Sequence, residues 1–375
     1  MKILYFTNIP VPYRVDFFNE MGKYIDLTVV FEAETARQLN SQWFSQSCIN
    51  FKSFFLKKGA INEKAIMFGV LKYLKKNTYD IIIVSNYYLP TIILAIEKLQ
   101  LCKIPFVYST DGAFIKNENW LKKAFKSHLI KSATYWLSTG TITNAYYAHY
   151  GVKKDKIFWY PFTSLKESQI LSNPLLKEEK VQIKVKLGIE EEKVVISVGQ
   201  FIQRKGFDVL LEACNKLSRG YGVYIIGGEP TKEYLDLKEK YGLENVHFVG
   251  FKSKEQLKEY YLASDLFVLP TREDIWGLVI NEAMACGLPV ITTDRCIAGL
   301  ELIKNYENGF IVPVERADIL AKRIEEVLSD EQLAIRMGKA NLKKIRPYTI
   351  ENMARQHINI FKKILIFEER KCRTA

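Results

Sequence analysis

Short apolar runs alternate with segments of helical period along most of the chain. KILYFTN (2–8), DLTVVFE (26–32), DIIIVSN (80–86) and PFVYST (105–110) are nearly continuous in apolar residues. That is the pattern of strands buried on both faces of a parallel sheet. Between them, VDFFNEMGKY (15–24) and NEKAIMFGVLKYLKKN (62–77) repeat apolar residues at helical spacing and are predicted as helices. A second series of strands is predicted at 193–199, 221–228, 245–251, 265–270 and 288–293, with helices at 208–217 and 254–264 among them. The β-α-β alternation predicts a doubly wound α/β sheet, and its recurrence predicts two. The stretch 160–179 is polar, holds two prolines and reads as a connection, while 351–367 reads as a helix. The expected division is an N-terminal domain over 1–165, a linker and lead-in helix over 166–192, a second domain over 193–350, and a C-terminal helix over 351–375 that crosses back to the first domain.

Composition agrees with this division. A chain of 375 residues exceeds one ordinary core. Apolar content of 48% with 26% charged residues excludes a disordered chain. The net charge of +12 is lopsided, because residues 1–180 hold 24 Lys/Arg against 14 Asp/Glu, a net of +10. Such a half suggests an anionic neighbour, or else a generally basic proteome. Nucleic acid ranks last as that neighbour, since no basic-aromatic module is present. The six cysteines form no C-x-x-C pair and read as free thiols of a reducing compartment. MKILYFTNIP reads as a strand, not a signal peptide. The uncharged run 81–96 is broken by Ser85, Asn86 and Pro90 and is too short to span a bilayer. The expectation is a cytoplasmic protein, peripheral on a membrane at most.

Ligands of open parallel sheets bind beyond the carboxyl ends of the strands, so the chemistry is sought in those loops. In VGQFIQRKGFDVLLEA (198–213) a strand ends at Gly199, a helix starts near Phe207, and Arg204 and Lys205 lie between. Two cations beside the free N–H groups of a helix start make a phosphate site. A plain strand–helix turn with exposed charges is the other reading. Neither a G-x-x-x-x-G-K-[ST] nor a G-x-G-x-x-G pattern is present, which counts against a P-loop and against dinucleotide binding. In TREDIWGLVINEAMACGLPVITT (271–293) a helix is predicted to begin at about Gly277. Asp274 precedes its first turn, and Glu282 stands alone among Leu278, Val279, Ile280, Ala283, Met284 and Ala285. Helical side chains lean toward the N-terminus, so both carboxylates face one mouth. Carboxylates accept from sugar hydroxyls and helix-start N–H groups take phosphate oxygens, so a nucleotide-sugar satisfies both. An internal salt bridge for Glu282 and a helix cap for Asp274 remain open.

VGQFIQRKG followed by PTREDIWGLVINEAMACGLPVI resembles the nucleotide-sugar glycosyltransferases of family GT4. The resemblance implies a GT-B fold, with two Rossmann-like domains facing across a cleft. It implies a cytosolic, retaining, metal-independent transferase that needs no cofactor, and no D-x-D motif is present. In that family the first position of an E-x7-E pair contacts the donor sugar and the second the ribose. Those positions are Asp274 and Glu282 here, with Glu273 one residue out of register. Arg204 and Lys205 would lie on the donor diphosphate. Gly199 and the backbone of Ile275, Trp276, Gly277 and Leu278 would face the phosphates, and loops at Gly228 and Phe248 to Phe251 would flank the base.

The first half matches less closely. TNIPVPYRVDFFNE (7–20) replaces the family's Gly-rich loop, and similar openings occur in bacterial relatives that build surface polysaccharides. Tyr13 and Arg14 would then project toward an acceptor, unless they serve helix entry and packing. Asp111 stands where many relatives carry a His. WLKKAFKSHLIK (120–131) sets Trp120, Leu121, Ala124, Phe125 and Leu129 near one face and Lys122, Lys123, Lys126 and Lys131 largely elsewhere. That suits an interfacial helix on an anionic membrane, or any surface helix packed on its own domain. The partners implied are a nucleotide-diphosphate sugar and a polysaccharide or lipid-linked glycan. The rivals are a nucleotide-sugar epimerase on the same fold and a non-catalytic glycan-binding protein.

Overall fold

The computed structural model describes residues 1–36, 47–86, 88–217 and 220–374. The chain divides into two compact units, Met1–Ser164 with Tyr348–Ala375, and Leu165–Pro347.

The first unit is built on a seven-stranded parallel sheet: β1 (Lys2–Thr7), β2 (Asp26–Thr35), β3 (Lys52–Ala60), β4 (Ile81–Ser85), β5 (Val107–Ser109), β6 (Tyr135–Ser138) and β7 (Ile157–Trp159). Their order across the sheet is β3-β2-β1-β4-β5-β6-β7. The register pairs Ile3 with both Leu27 and Ile81. The central runs are buried on both faces, as their apolar continuity requires. The sequence pattern misses β3, β6 and β7. β3 carries three lysines at the sheet edge, and β6 and β7 are too short to show a period. The C-terminal helix Ile350–Thr374 belongs to this unit. Its His357 ring lies 4.7 Å from Phe17 and 4.4 Å from Tyr160.

The helix predicted over 62–77 is corrected to one 3-10 turn, Phe68–Tyr73. The Met67 N–H donates to Thr91 Oγ1 at 3.0 Å, which interrupts a helical ladder. Only Val70 and Leu74 are buried there, so the apolar residues never share one packed face.

The second unit carries β8 (Lys193–Val198), β9 (Tyr221–Ile226), β10 (Val246–Val249), β11 (Leu266–Leu269), β12 (Val290–Thr293) and β13 (Gly309–Val312). All are parallel, in the order β10-β9-β8-β11-β12-β13. Val195, Val268 and Ile291, from three neighbouring strands, are wholly buried. Each such side chain contributes about 1.5–3 kcal/mol.

In both sheets the strand order reverses at one place, between β1 and β4 in the first and between β8 and β11 in the second. The helices after the two flanking strands leave on opposite faces there, which opens a crevice at the carboxyl ends. The loops after those strands are where each unit can hold a ligand.

Candidate active site

The loops after β8 and β11 meet at the second switch point. The Arg204 carbonyl accepts from the Arg272 N–H at 2.8 Å and from Thr271 Oγ1 at 2.9 Å. Gly206 turns the first loop at φ +69°, and a Cβ there would collide with the Pro270 carbonyl. Arg272 spans both loops. It holds Asp208 through two hydrogen bonds of 2.9 and 2.6 Å, the Gln203 carbonyl at 2.6 Å, and Glu315.

This closure delivers Lys205 to Asp274. The ammonium lies 2.6 Å from Asp274 Oδ2, and Arg204 is 3.7 Å from Oδ1 while donating to the Glu273 carbonyl at 2.8 Å. A side chain at Gly199 would press on the Lys205 stem at 3.2 Å, so that glycine leaves the lysine its path. Gly277, at φ +95°, precedes the helix Leu278–Ala285, and a Cβ there would come within 2.7 Å of Cys296 Sγ. No side chain caps that helix start. Unpaired N–H groups at a helix start are of the kind that attract anions.

Glu282 lies inside this helix and is half-buried. The Tyr261 hydroxyl donates to its Oε2 at 3.2 Å. Burial, then the Glu282 charge, holds the Tyr261 phenol well above its ordinary range, so it remains a donor. Glu282 is therefore not stranded in an apolar helix, and the partner that answers it lies 21 residues upstream. Gly228, at φ +120°, follows β9 and has open space around it, and Phe251 and Ile275 are partly exposed.

Two side chains of this region pack inward. The Trp276 side chain is buried, and its indole N–H donates to Asn281 Oδ1 at 3.0 Å, which leaves the expectation for its backbone untouched. Phe248 lies in β10, packs on Phe201 at 5.3 Å and belongs to the core margin.

At the switch point of the first sheet, Arg14 is only 6% exposed and does not project freely. Its guanidinium donates to Asp111 Oδ2 at 2.7 Å and to Thr7 Oγ1 at 2.9 Å. Tyr13 donates to the same Asp111 oxygen at 3.1 Å, and burial raises its phenol pKa. Asp111 keeps 25% of its side chain exposed and Tyr13 is likewise only partly buried, whereas Arg14 is enclosed. Asn8 and Tyr88 stand nearby, joined at 3.2 Å.

The helix Trp120–Lys131 forms as expected, with Trp120, Leu121 and Phe125 exposed. Lys126 leaves the expected basic face. It is ion-paired with Glu118 at 2.6 Å, and Glu118 also accepts from the Tyr150 hydroxyl. Among the described residues no group of three or more His, Cys, Asp or Glu could hold a metal ion, and no helix is long and apolar enough to cross a membrane. Cys48, Cys102, Cys214, Cys286 and Cys296 are free thiols, and the Cys372 side chain lies outside what is described.

Residues 179–344 match the family described as glycosyl transferases group 1. That segment contains β8 to β13, with Lys205, Asp274 and Glu282. This chain carries a group 1 glycosyltransferase domain.

The chain is 29% identical to an uncharacterized glycosyltransferase of Methanocaldococcus jannaschii, over 49% of this chain and 49% of the relative. It is 32% identical to the lipopolysaccharide core biosynthesis glycosyltransferase LpsE of Rhizobium meliloti, over 39% of this chain and 42% of the relative. The chain thus spans about half the length of the curated relatives it matches. Over its full length the fold is similar to that of Anabaena HepE solved in complex with UDP, with a TM-score of 0.75, 17% identity, and 97% of this chain and 100% of that one covered. The two parallel sheets are those of the GT-B fold, as the family resemblance implied.

Proposed function

We propose that the protein is a retaining glycosyltransferase that moves a sugar from a nucleotide diphosphate to a polysaccharide or lipid-linked glycan of the cell surface. The observation that carries this reading is the Lys205–Asp274 pair in front of an uncapped helix start, with Glu282 one helical turn inside. LpsE, by its name, works in lipopolysaccharide core biosynthesis, and HepE was solved with UDP, which supports the substrate class.

In this reading the diphosphate lies against the helix start and the Lys205 ammonium. Asp274 accepts a hydroxyl of the donor sugar and Glu282 accepts the ribose hydroxyls. The acceptor oxygen attacks the anomeric carbon on the face from which the phosphate leaves. The bond to the phosphate oxygen breaks, and that oxygen takes the acceptor proton. Negative charge grows on the departing diphosphate, and Lys205, Arg204 and the helix N–H groups stabilise it there. No step requires a metal or cofactor. Asp111, fixed by Arg14 and Tyr13, serves the acceptor side.

Work at the inner face of an anionic membrane is part of this proposal. It is supported by Trp120, Leu121 and Phe125 standing exposed beside Lys122 and Lys123. The chemical assignment is tested by Lys205→Ala. Transfer from the purified donor should fall about tenfold or more while the fold persists, because a contact strengthened in the transition state is lost. Unchanged turnover would remove Lys205 from the mechanism.

A further inference from the structure

Residues 52–77, which include β3 and the turn Phe68–Tyr73, hold seven lysines and one acidic residue, Glu63. That net of +6 is half the charge of the whole chain. The same segment exposes large apolar side chains: Phe68 at 68%, Ile66 at 47% and Phe54 at 43%. Phe54 lies against Tyr73 at 5.4 Å, and the Lys72 ammonium sits 4.8 Å over the Tyr73 ring. Strand and turn thus form one basic, aromatic surface. β3 is also the outermost strand of its sheet among the described residues.

Lysines on an edge strand have an ordinary use, which is to discourage pairing with another chain. That use does not account for Phe68 and Ile66, whose exposure works against solubility. We infer that this surface holds an anionic glycan chain, one bearing carboxylate or phosphate groups, during the transfer proposed above. The inference rests on that reading of the function. The apolar C–H faces of sugar rings pack on exposed aromatic rings. The lysines pair with the acidic groups, and an edge row of backbone N–H and C=O groups meets hydroxyls. The last feature separates this surface from a membrane contact, because unpaired backbone groups are costly in hydrocarbon. At about 3.3 Å per residue, the nine-residue strand offers about 30 Å to an extended polymer.

The test is binding of the full-length protein to polygalacturonate, with neutral dextran, polyacrylate, single-stranded DNA and phosphatidylglycerol vesicles as comparisons. Polygalacturonate should bind, more weakly at high salt, and dextran should not. Phe68→Ala and, separately, Lys58→Gln with Lys72→Gln should each weaken polygalacturonate binding roughly tenfold. Both variants should keep the wild-type circular dichroism and the wild-type response to nucleotide. Polyacrylate binding as tightly as polygalacturonate, with no effect of Phe68→Ala, would overturn the glycan assignment in favour of bare charge. Loss of vesicle or DNA binding in these variants, with polygalacturonate untouched, would overturn it in favour of those partners. A missing nucleotide response in the wild type would instead count against the transferase reading, so the two failures are distinct.

Discussion

Tyr261→Phe tests whether the carboxylate of Glu282 is oriented for a ligand. The substitution keeps the ring, which is 2% exposed and lies 5.9 Å from Phe267, and deletes only the hydroxyl that donates to Glu282 Oε2. A hydrogen bond to a charged group is worth about 1.5–3 kcal/mol. At 3.2 Å this one is longer than the usual O–H···O bond, so the low end, about 1.5 kcal/mol, applies. Urea unfolding should show a loss of about 1.5 kcal/mol with an unchanged slope. If the tyrosine also aims the carboxylate at the ribose, nucleotide affinity by calorimetry should fall roughly five- to tenfold. In a Glu282→Gln background the second loss should largely vanish, leaving a coupling of about 1 kcal/mol. Unchanged affinity in Tyr261→Phe, or full additivity with Glu282→Gln, would refute the orienting role and leave a packing contact.

Stability should depend on His357 in acid. Burial lowers its pKa to about 4, and its Nδ1 donates to the Met353 carbonyl at 2.8 Å. The unfolded chain binds the proton near pH 6.5 and the folded one only near 4, so stability is whole above 6.5 and is lost as pH falls toward 4, by about 3 kcal/mol. His357→Gln should flatten that part of the pH–stability curve, and an identical curve would reject the assignment. At the helix Trp120–Lys131, neutralising Lys122 and Lys123 should weaken co-sedimentation with anionic vesicles, whereas Lys126→Gln should instead lower thermal stability by stranding Glu118. Equal vesicle binding in the double variant would remove the membrane from the account.

Five of the six strands of the second unit, β8 to β12, were legible as short, mostly apolar runs, whereas β13 was not predicted. The Asp274–Glu282 spacing was legible because it lies within one loop and one helix. What escaped was non-local. Nothing near Glu282 in sequence points to Tyr261, and nothing near Gln203 or Asp208 points to Arg272, since both pairings arise only when the loops after β8 and β11 meet. The stretch 62–77 carries a helical period, yet Thr91 takes the Met67 N–H and the period is not used. Lys126 was expected on the basic face of its helix and is held by Glu118.

The central claim is that the cluster of Lys205, Asp274 and Glu282 holds a nucleotide-diphosphate donor. The most direct measurement is thermal stabilisation by UDP, GDP, ADP and CMP, on the wild type and on Glu282→Ala. The account predicts a rise in Tm with one nucleoside diphosphate, which names the base, and its loss in Glu282→Ala. No shift with any nucleotide, or an equal shift in the variant, would contradict it.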